Sequence, residues 1–495
     1  MVWTTGLRMS VLWIVVAAAV AASGCAVMAQ DAPADAKHNQ PAVPALDELP
    51  LQESVSQHGI TWTFDKPARV GRFVNGDYYV VGPATVKAIS PAPADGRNGS
   101  TLNIPIVKGK SESKLGFDDR IPHGRYDAKL FQQPSFAMKA GDVLFSSISF
   151  EKVEAIRPMV PRAKSHVSKE HSPVRTVAVL TCLAAPAPTD AFRPGYSDPK
   201  RTIHLARHLR RDLLPKLASP GNVPDMAEIQ RWFERPWTDI VMDEFGAPPD
   251  NMPLYGQEFT RAVALATLTL ALDMPQEKKE TLLVRVVQAG IDMWGLLEAG
   301  KSGWPALGGH GNGRKWLIIF TGMMLGNEKM QHPYASFPEA VFSEDLQTMF
   351  DDCWTGAKVV YAGHVGPKGM ANKVGWGRYE HLHPSKWEDK IGESYRRCCT
   401  SLCWVGEALG IQLYGAEKLW DHDSFLVYCD RWMTEDDSKF IRIVKEAGMG
   451  DYDNDWSRQG MVWDPFVESM WNKYRPSIKA PVDRWKQPHG GKSAQ

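Results

Sequence analysis

The stretch GRFVNGDYYVV (residues 71–81) places two β-rich runs on either side of an Asn-Gly pair. Asn75-Gly76 suits the left-handed backbone positions of a tight hairpin turn. Aromatic and β-branched side chains fill the flanking runs, and such side chains pack well on a pleated surface. The stretch therefore predicts two antiparallel strands joined by a turn.

Further short β-rich runs lie on both sides of this hairpin. Residues 60–64 (ITWTF) alternate, and residues 143–150 and 174–180 are largely apolar, with Gly and Pro between the runs. Short strands separated by turn residues are typical of a β-sandwich. We therefore predict a β-sandwich-like domain over residues 55–182, followed by a proline-containing connection over residues 183–200.

From about residue 200 the apolar pattern takes a helical period. In residues 257–272, which predict one helix, the apolar side chains on one face are Phe259, Val263, Ala266 and Leu270. Asp273 and Pro275 open the next helix. The other predicted helices cover residues 201–217, 313–325, 337–353, 391–414, 415–433 and 463–474.

The predicted fold class is therefore α+β and multidomain. The β-sandwich-like domain precedes an all-α domain over residues 201–475 and a C-terminal tail over residues 476–495. Helix pairs of this size are typical of an α/α toroid, whose pairs surround a central cleft. An irregular helical bundle has the same sequence pattern.

The amino-terminal segment has the order of a secretory signal peptide. Arg8 precedes the apolar run VLWIVVAAAVAA, small residues follow, and polar sequence begins at Gln30. The apolar run has roughly 12 residues, whereas spanning a bilayer needs roughly 20. We predict that residues 1–29 are a signal peptide and that the protein is extracytoplasmic in a bacterium, whether periplasmic, tethered to the outer membrane or secreted.

Cleavage of this leader has two candidate sites. Ala22-Ser23-Gly24-Cys25 resembles a bacterial lipobox, so Cys25 is a candidate for lipidation and for a membrane tether. Val27-Met28-Ala29 suits ordinary signal peptidase instead. Residues 30–54 are rich in Pro, Ala and Asp and predict a flexible linker.

The charge and cysteine composition bears on nucleic-acid binding, on disulfides and on cofactors. Lys+Arg and Asp+Glu are both 57, so no net charge favours nucleic acid, and we expect no nucleic-acid partner. Seven cysteines without a C-x-x-C pair predict buried free thiols with at most one disulfide. No metal or other cofactor is expected.

The first candidate functional segment is GWPALGGHGNGRKW (residues 303–316). Its five glycines disfavour a regular helix or strand, yet it carries His, Asn, Arg, Lys and two Trp. Arg314 and Lys315 at a helix start oppose the helix dipole unless an anion binds there. The segment predicts a functional anion-binding loop; the alternative is a Gly-rich turn with surface charges. Its glycine spacing matches neither the phosphate loop nor the dinucleotide motif.

Two further segments concentrate titratable side chains. GWGRYEHLHP (residues 375–384) predicts acid–base chemistry or substrate contact, and its alternatives are metal binding by His381 and His383 or a solvated loop. ESYRR (residues 393–397) opens a helix with two arginines, and its alternative is an ordinary helix start. Indole faces match sugar rings, so Trp304, Trp316 and Trp376, which lie in or beside these polar loops, are candidate substrate contacts.

A leader, a β-rich portion and a helical region with His, Asn, Arg and Tyr in its loops together resemble bacterial polysaccharide lyases of the α/α-toroid type, such as alginate and heparinase-like lyases. The resemblance is architectural and covers most of residues 55–475. The Asn-His and Tyr-rich motifs of those lyases are absent in their usual form. The stretches HGITWTFD, GGHGNGRKW and ESYRRCCTS are also similar to a family of bacterial secreted proteins.

The resemblance implies a secreted carbohydrate-active enzyme that cleaves a uronic-acid polysaccharide or oligosaccharide by β-elimination. Removal of the proton beside the uronate carboxylate builds negative charge, which Arg, Asn or protonated His neutralises, while Tyr or His moves the proton. The candidate catalytic residues are His310, Asn312, Arg314, Tyr379 and His381. The candidate substrate-binding residues are Trp304, Trp316, Trp376, Arg378, Arg396 and Lys315.

Two alternatives to a lyase stay open. A toroid glycoside hydrolase needs two carboxylates roughly 5–10 Å apart. Carboxylates available for that role are Glu258, Glu380, Glu393 and Asp464. The other alternative is a non-catalytic surface protein that binds glycans.

Overall fold

The structure is a computed structural model, and it describes residues 43–152, 172–241, 246–363, 378–388, 391–449, 457–458 and 463–479. The predicted signal peptide with Cys25 lies outside these ranges, as does Trp376. Within them, every helix is too short or too polar to cross a bilayer.

The predicted hairpin is confirmed. β1 (Leu51–Gln57), β2 (Ile60–Arg72) and β3 (Tyr78–Val81) come first, and β2 pairs antiparallel with β3, with Arg72 opposite Tyr78. The connection has more residues than the two of a tight turn. Gly76 takes the left-handed conformation at φ +97°, which glycine adopts without steric cost.

The β-rich region is confirmed, but its described strands form one curled sheet and not two facing sheets. The remaining strands are β4 (Ala84–Ser90), β5 (Ser100–Leu102), β6 (Phe136–Met138), β7 (Val143–Ser149) and β8 (Val174–Leu183). Their order is β5-β7-β8-β3-β2-β4-β6, with β1 also on β2, and β3 with β8 is the parallel pair. The sheet stays continuous because the long β2 pairs with β4 at one end and with β3 at the other.

Both faces of the central strands are buried. Leu144 packs inside the curled sheet with Trp62 and Leu180. Its neighbours Val143 and Phe145 point to the opposite face and join the core of the helical region. Burial on both faces explains the nearly continuous apolar runs in β7 and β8.

The region that follows is largely helical. Its helices are α1 (Met226–Trp232), α2 (Gly256–Leu270), α3 (Gln276–Glu298), α4 (Arg314–Leu325), α5 (Glu328–Gln331), α6 (Pro333–Ser336), α7 (Ser343–Gln347), α8 (Ile391–Tyr395), α9 (Ser401–Leu413), α10 (Glu417–Trp420), α11 (Asp423–Thr434), α12 (Asp437–Glu446) and α13 (Pro465–Tyr474). Two small ladders pair β9 (Gly303–Trp304) with β10 (Val341–Phe342) and β11 (Thr348–Phe350) with β12 (Val359–Tyr361).

Two predicted helices are wrong. Residues 201–217 form two short 3-10 turns, because the backbone N–H groups of Ala206, Arg210 and Leu217 donate to carbonyls elsewhere in the fold, at 2.7–3.0 Å. Residues 337–353 keep only the short α7, since pairing with β9 and β12 draws the flanking residues into strands.

The centre of the helical region consists of α2, α4 and α9. Every residue of α2 is buried, and so is nearly every residue of the other two. A helix that is buried on all sides lies in the middle of a large core. The contacts establish a sheet followed by helices, and the toroidal arrangement stays a prediction.

A buried ion pair joins the sheet to the helices. Arg193, in the segment 183–200, donates to Asp77 beside the hairpin at 2.6 Å and to Asp292 of α3 at 2.6 and 3.0 Å. All three side chains are buried. This segment, predicted from its prolines as a connection, therefore packs against both regions.

Candidate functional site

The Gly-rich loop (residues 303–313) is tightly packed. Gly309 has φ +101°, and a Cβ there would lie 2.7 Å from the Cys399 carbonyl oxygen. At Gly313, with φ +87°, a Cβ would lie 2.5 Å from the Thr260 nitrogen. These glycines let the loop approach neighbouring backbone where any larger residue would clash.

Arg314 and Lys315 are neutralised inside the protein. Arg314 donates two hydrogen bonds to Asp239, both 2.9 Å long, and its guanidinium carbon lies 3.4 Å from the Phe259 ring centroid. Lys315 donates to Asp345 at 2.6 and 2.9 Å. Both cations are buried, so internal carboxylates account for their place at the start of α4 without a bound anion.

Trp304 and Trp316 are also buried. The Trp304 indole donates to Asp239 at 2.6 Å, and the Trp316 indole donates to Thr267 at 3.2 Å. Neither ring offers a face to solvent in this structure. Their contacts are those of core tryptophans that satisfy their one polar group.

His310 is the partly exposed polar side chain of the loop. Its ring contacts the Tyr255 ring edge-on, with centroids 4.5 Å apart. The Tyr255 hydroxyl donates to the Gly308 carbonyl. Asn312, in the same loop, is buried. Its side chain donates to the Cys399 carbonyl at 3.4 Å and accepts from Ser343 at 2.5 Å.

Tyr255 is not among the site residues predicted from the sequence. It occupies the N-cap position of α2, where Glu258 accepts from its backbone N–H at 3.2 Å. A tyrosine just before a helix start is a weak signal on its own, because only the tertiary fold brings the distant His310 beside it.

The segment around Tyr379 divides between surface and core. Arg378 forms an exposed ion pair with Asp351, and His381 and His383 are exposed. Tyr379 is buried, and its hydroxyl donates to Glu393 at 2.9 Å. Burial and the Glu393 carboxylate raise the pKa of Tyr379 well above its usual value, so this phenol stays protonated.

Arg396 lies in a buried charge cluster. It donates to Glu393 at 2.8 and 3.0 Å, and Arg397 donates to the same carboxylate at 2.6 Å. Nearby, Glu380 accepts two bonds of 2.8 Å from Arg431. Burial would raise the pKa of Glu380, but Arg431 and Arg396 outweigh it and lower that pKa. Arg396 is therefore already paired within the fold.

All three predicted segments meet at one place. Between α8 and α9 the chain makes a π-helical turn, Arg396–Thr400. The Gly-rich loop contacts this turn through the hydrogen bond from Asn312 to the Cys399 carbonyl. Tyr379 donates to Glu393, which lies just before the turn. Single π-helical turns inside helices are frequent at functional sites.

Two further carboxylates lie in the core near this place. Glu344 accepts from the Gly313 backbone N–H at 2.5 Å, while neither oxygen of Glu407 accepts a hydrogen bond from the described residues. Burial raises the pKa of both carboxyls, that of Glu344 to about 7, and Glu344 further raises that of Glu407. This pair is not among the predicted site residues, since neither Glu lies in one of the three segments that concentrate polar and titratable side chains.

The carboxylates that the sequence suggested for hydrolysis have structural partners. Glu258 and Asp464 accept from backbone N–H groups at the starts of α2 and α13, at 2.9–3.3 Å. Glu380 and Glu393 belong to the charge cluster described above. Over the described residues, no three His, Cys, Asp or Glu side chains converge as metal ligands.

Comparison of the chain with known protein families, with curated proteins and with solved structures found no match.

Proposed function

We propose that this protein is a carbohydrate-active enzyme that cleaves a uronic-acid glycan by β-elimination at the Gly-rich loop. The observation that carries the proposal is the contact between the partly exposed His310 of that loop and the buried Tyr255. A histidine and a tyrosine side by side can remove one proton and deliver another, which is what β-elimination requires.

The proposed chemistry assigns one role to each ring. His310 takes the proton beside the uronate carboxylate, the electrons form the ring double bond, and the bond to the leaving oxygen breaks. Tyr255 gives its hydroxyl proton to that oxygen and recovers one from solvent. Asn312 and Arg314 are positioning residues, because their hydrogen bonds hold the loop that carries His310.

The test is a panel of acidic and neutral polysaccharides, assayed for ultraviolet absorbance of unsaturated uronide and for new reducing ends. We expect both signals from a uronic-acid polymer. His310→Ala and Tyr255→Phe should abolish both with the fold intact, as judged by circular dichroism.

Matched controls are His383→Ala, which removes an exposed histidine, and Tyr474→Phe, which removes another hydroxyl that donates to a backbone carbonyl. Both controls should keep full turnover. Full turnover in His310→Ala and Tyr255→Phe would reject the assignment. Binding of a glycan without product would select a non-catalytic glycan-binding protein.

A glycoside hydrolase is the second candidate, and the Glu344–Glu407 pair favours it. Hydrolysis needs one protonated and one ionised carboxyl, and two interacting buried carboxyls separate their pKa values in this sense. Reducing ends without unsaturated product, abolished by Glu407→Gln, would select this mechanism. The same result would reject elimination.

The proposed enzyme includes three features that the sequence predicts. These are the toroidal arrangement of the helices, export from the cytoplasm, and cleavage of the leader either at Cys25 with lipidation or after Ala29. Mass spectrometry of the mature amino terminus distinguishes lipidated Cys25 from cleavage after Ala29. An intact leader on all of the cellular protein would reject export.

A further inference from the structure

A disulfide joins two consecutive residues, Cys398 and Cys399, inside the π-helical turn. Cys398 is partly exposed and Cys399 is buried. The other cysteines among the described residues are buried free thiols, namely Cys182, Cys353, Cys403 and Cys429. The one bridge among the described residues thus lies where the three predicted segments meet.

This disulfide adds little to global stability. A disulfide stabilises chiefly by restricting the unfolded chain, and the restriction grows with the length of the closed loop. A bridge between neighbours closes almost no loop. The effect of this disulfide is therefore on the local conformation of the turn.

The bridge lies in a turn that departs from α-helical geometry. Consecutive side chains on an α-helix point about 100° apart and do not face each other. The bridge therefore requires a departure from α-helical geometry, and the chain departs here. The turn Arg396–Thr400 is π-helical, and Thr400 has φ −128° and ψ −76°, outside the helical region.

The turn contacts the Gly-rich loop through backbone atoms of Cys399. Its carbonyl accepts from Asn312 at 3.4 Å, and Gly309 passes so close that a Cβ would lie 2.7 Å from the same oxygen. On the other side, Arg396 and Arg397 hold Glu393. A change in the backbone of the turn would therefore alter its contacts with the loop that carries His310.

We propose that the Cys398–Cys399 pair is a redox-active site for dithiols, and that its oxidation state sets the conformation of the Gly-rich loop. A thiolate of the dithiol attacks the partly exposed Cys398 sulfur, the disulfide breaks, and the Cys399 sulfur leaves as a thiolate that takes a proton. The second thiol then displaces the Cys398 sulfur. The dithiol ends as a disulfide and the protein as two thiols.

Reduction removes the constraint between the two neighbours. The chain from α8 to α9 is then free to take continuous α-helical hydrogen bonding, which moves the Cys399 carbonyl away from Asn312 and Gly309. The oxidised form holds the loop in the arrangement described here, and the reduced form releases it.

The first experiment uses the full mature protein and no substrate. Under native conditions, alkylation and peptide mass spectrometry should find Cys398 and Cys399 blocked before treatment with dithiothreitol and labelled after it. The four buried thiols should stay unlabelled in both states. Two free thiols at these positions in the protein purified without reductant would overturn the proposal.

The second experiment measures amide hydrogen exchange by mass spectrometry in both redox states. The exchange rates in residues 303–313 and 396–404 should change by about fivefold or more, since fivefold is about the smallest effect typical of two coupled sites. The exchange rates in the sheet should stay unchanged. The double variant Cys398→Ser/Cys399→Ser should match the reduced protein, and Cys353→Ser should match the oxidised one. Equal exchange in the Gly-rich loop in both states would overturn the proposal.

These readouts are independent of the proposed reaction. If the panel of polysaccharides yields no product, the redox experiments still decide whether the pair acts on the loop. If the pair is inert, elimination at His310 is still open to its own test.

Discussion

Replacement of Arg314 by methionine separates a structural from a ligand-binding role for this residue. In the structure Arg314 donates two bonds of 2.9 Å to the buried Asp239 and two more, of 2.8 and 2.7 Å, to carbonyls of the Gly-rich loop. Methionine fills similar space but leaves the aspartate charge without its cation. Removal of one partner of a buried pair costs about 3–5 kcal/mol of unfolding free energy.

Urea unfolding, followed by tryptophan fluorescence, measures this loss. Domains are stable by about 5–15 kcal/mol, so Arg314→Met should shift the midpoint strongly. Asp239→Asn removes the uncompensated charge while it keeps an acceptor for the Trp304 indole. The double variant should therefore be more stable than the sum of the single losses predicts, by about 2 kcal/mol.

Arg378→Met is the matched control, because Arg378 pairs with Asp351 at the surface. Exposed pairs contribute about 0–1 kcal/mol, so this variant should unfold near the wild-type midpoint. A loss of stability in Arg314→Met as small as that of the control would refute the reasoning. Loss of glycan binding with unchanged stability would instead assign Arg314 to a ligand.

Three further perturbations test other parts of the structure. Gly309→Ala should lower the unfolding free energy by about 1–3 kcal/mol, measured by thermal unfolding, because φ of +101° and the Cys399 carbonyl both exclude a methyl group. Glu407→Gln should flatten the dependence of stability on pH: a carboxyl whose folded pKa is raised stabilises fully below its ordinary pKa of 4.5 and loses that contribution as pH rises through the raised folded pKa. Arg193→Met should lower the unfolding free energy by about 3–5 kcal/mol in urea, because two buried aspartates lose their cation.

Each of these has a control with a different expected result. Gly326→Ala, with φ +63° and open space around it, should cost only about 1 kcal/mol, and an equal loss at both glycines would contradict the close approach. Glu446→Gln replaces an exposed carboxyl and should leave the dependence of stability on pH as it is in the wild-type protein, in contrast to Glu407→Gln. Asp77→Asn and Asp292→Asn should partly restore the Arg193 variant; no restoration would refute the charge argument.

Local patterns predicted much of the fold. The Asn-Gly hairpin and the buried helices α2, α3, α4 and α9 follow from residues close in sequence, since strand and helix periods are local properties. The helix predicted over residues 201–217 does not form, because hydrogen bonds to the backbone of distant residues replace the helical ones. The choice of a curled sheet over two facing sheets depended on the pairing of β2, which is also a long-range property.

For the candidate site, the three segments that concentrate polar and titratable side chains could be identified from the sequence, because composition and spacing are local properties of the chain. The partners of those side chains depend on the fold. It paired Arg314 with the buried Asp239 and Lys315 with the partly buried Asp345, placed Tyr255 beside His310, and bridged two neighbouring cysteines where the segments meet. The reason is physical: a charge or a ring acts on whatever lies within a few ångströms, and folding brings there residues that are distant in the sequence.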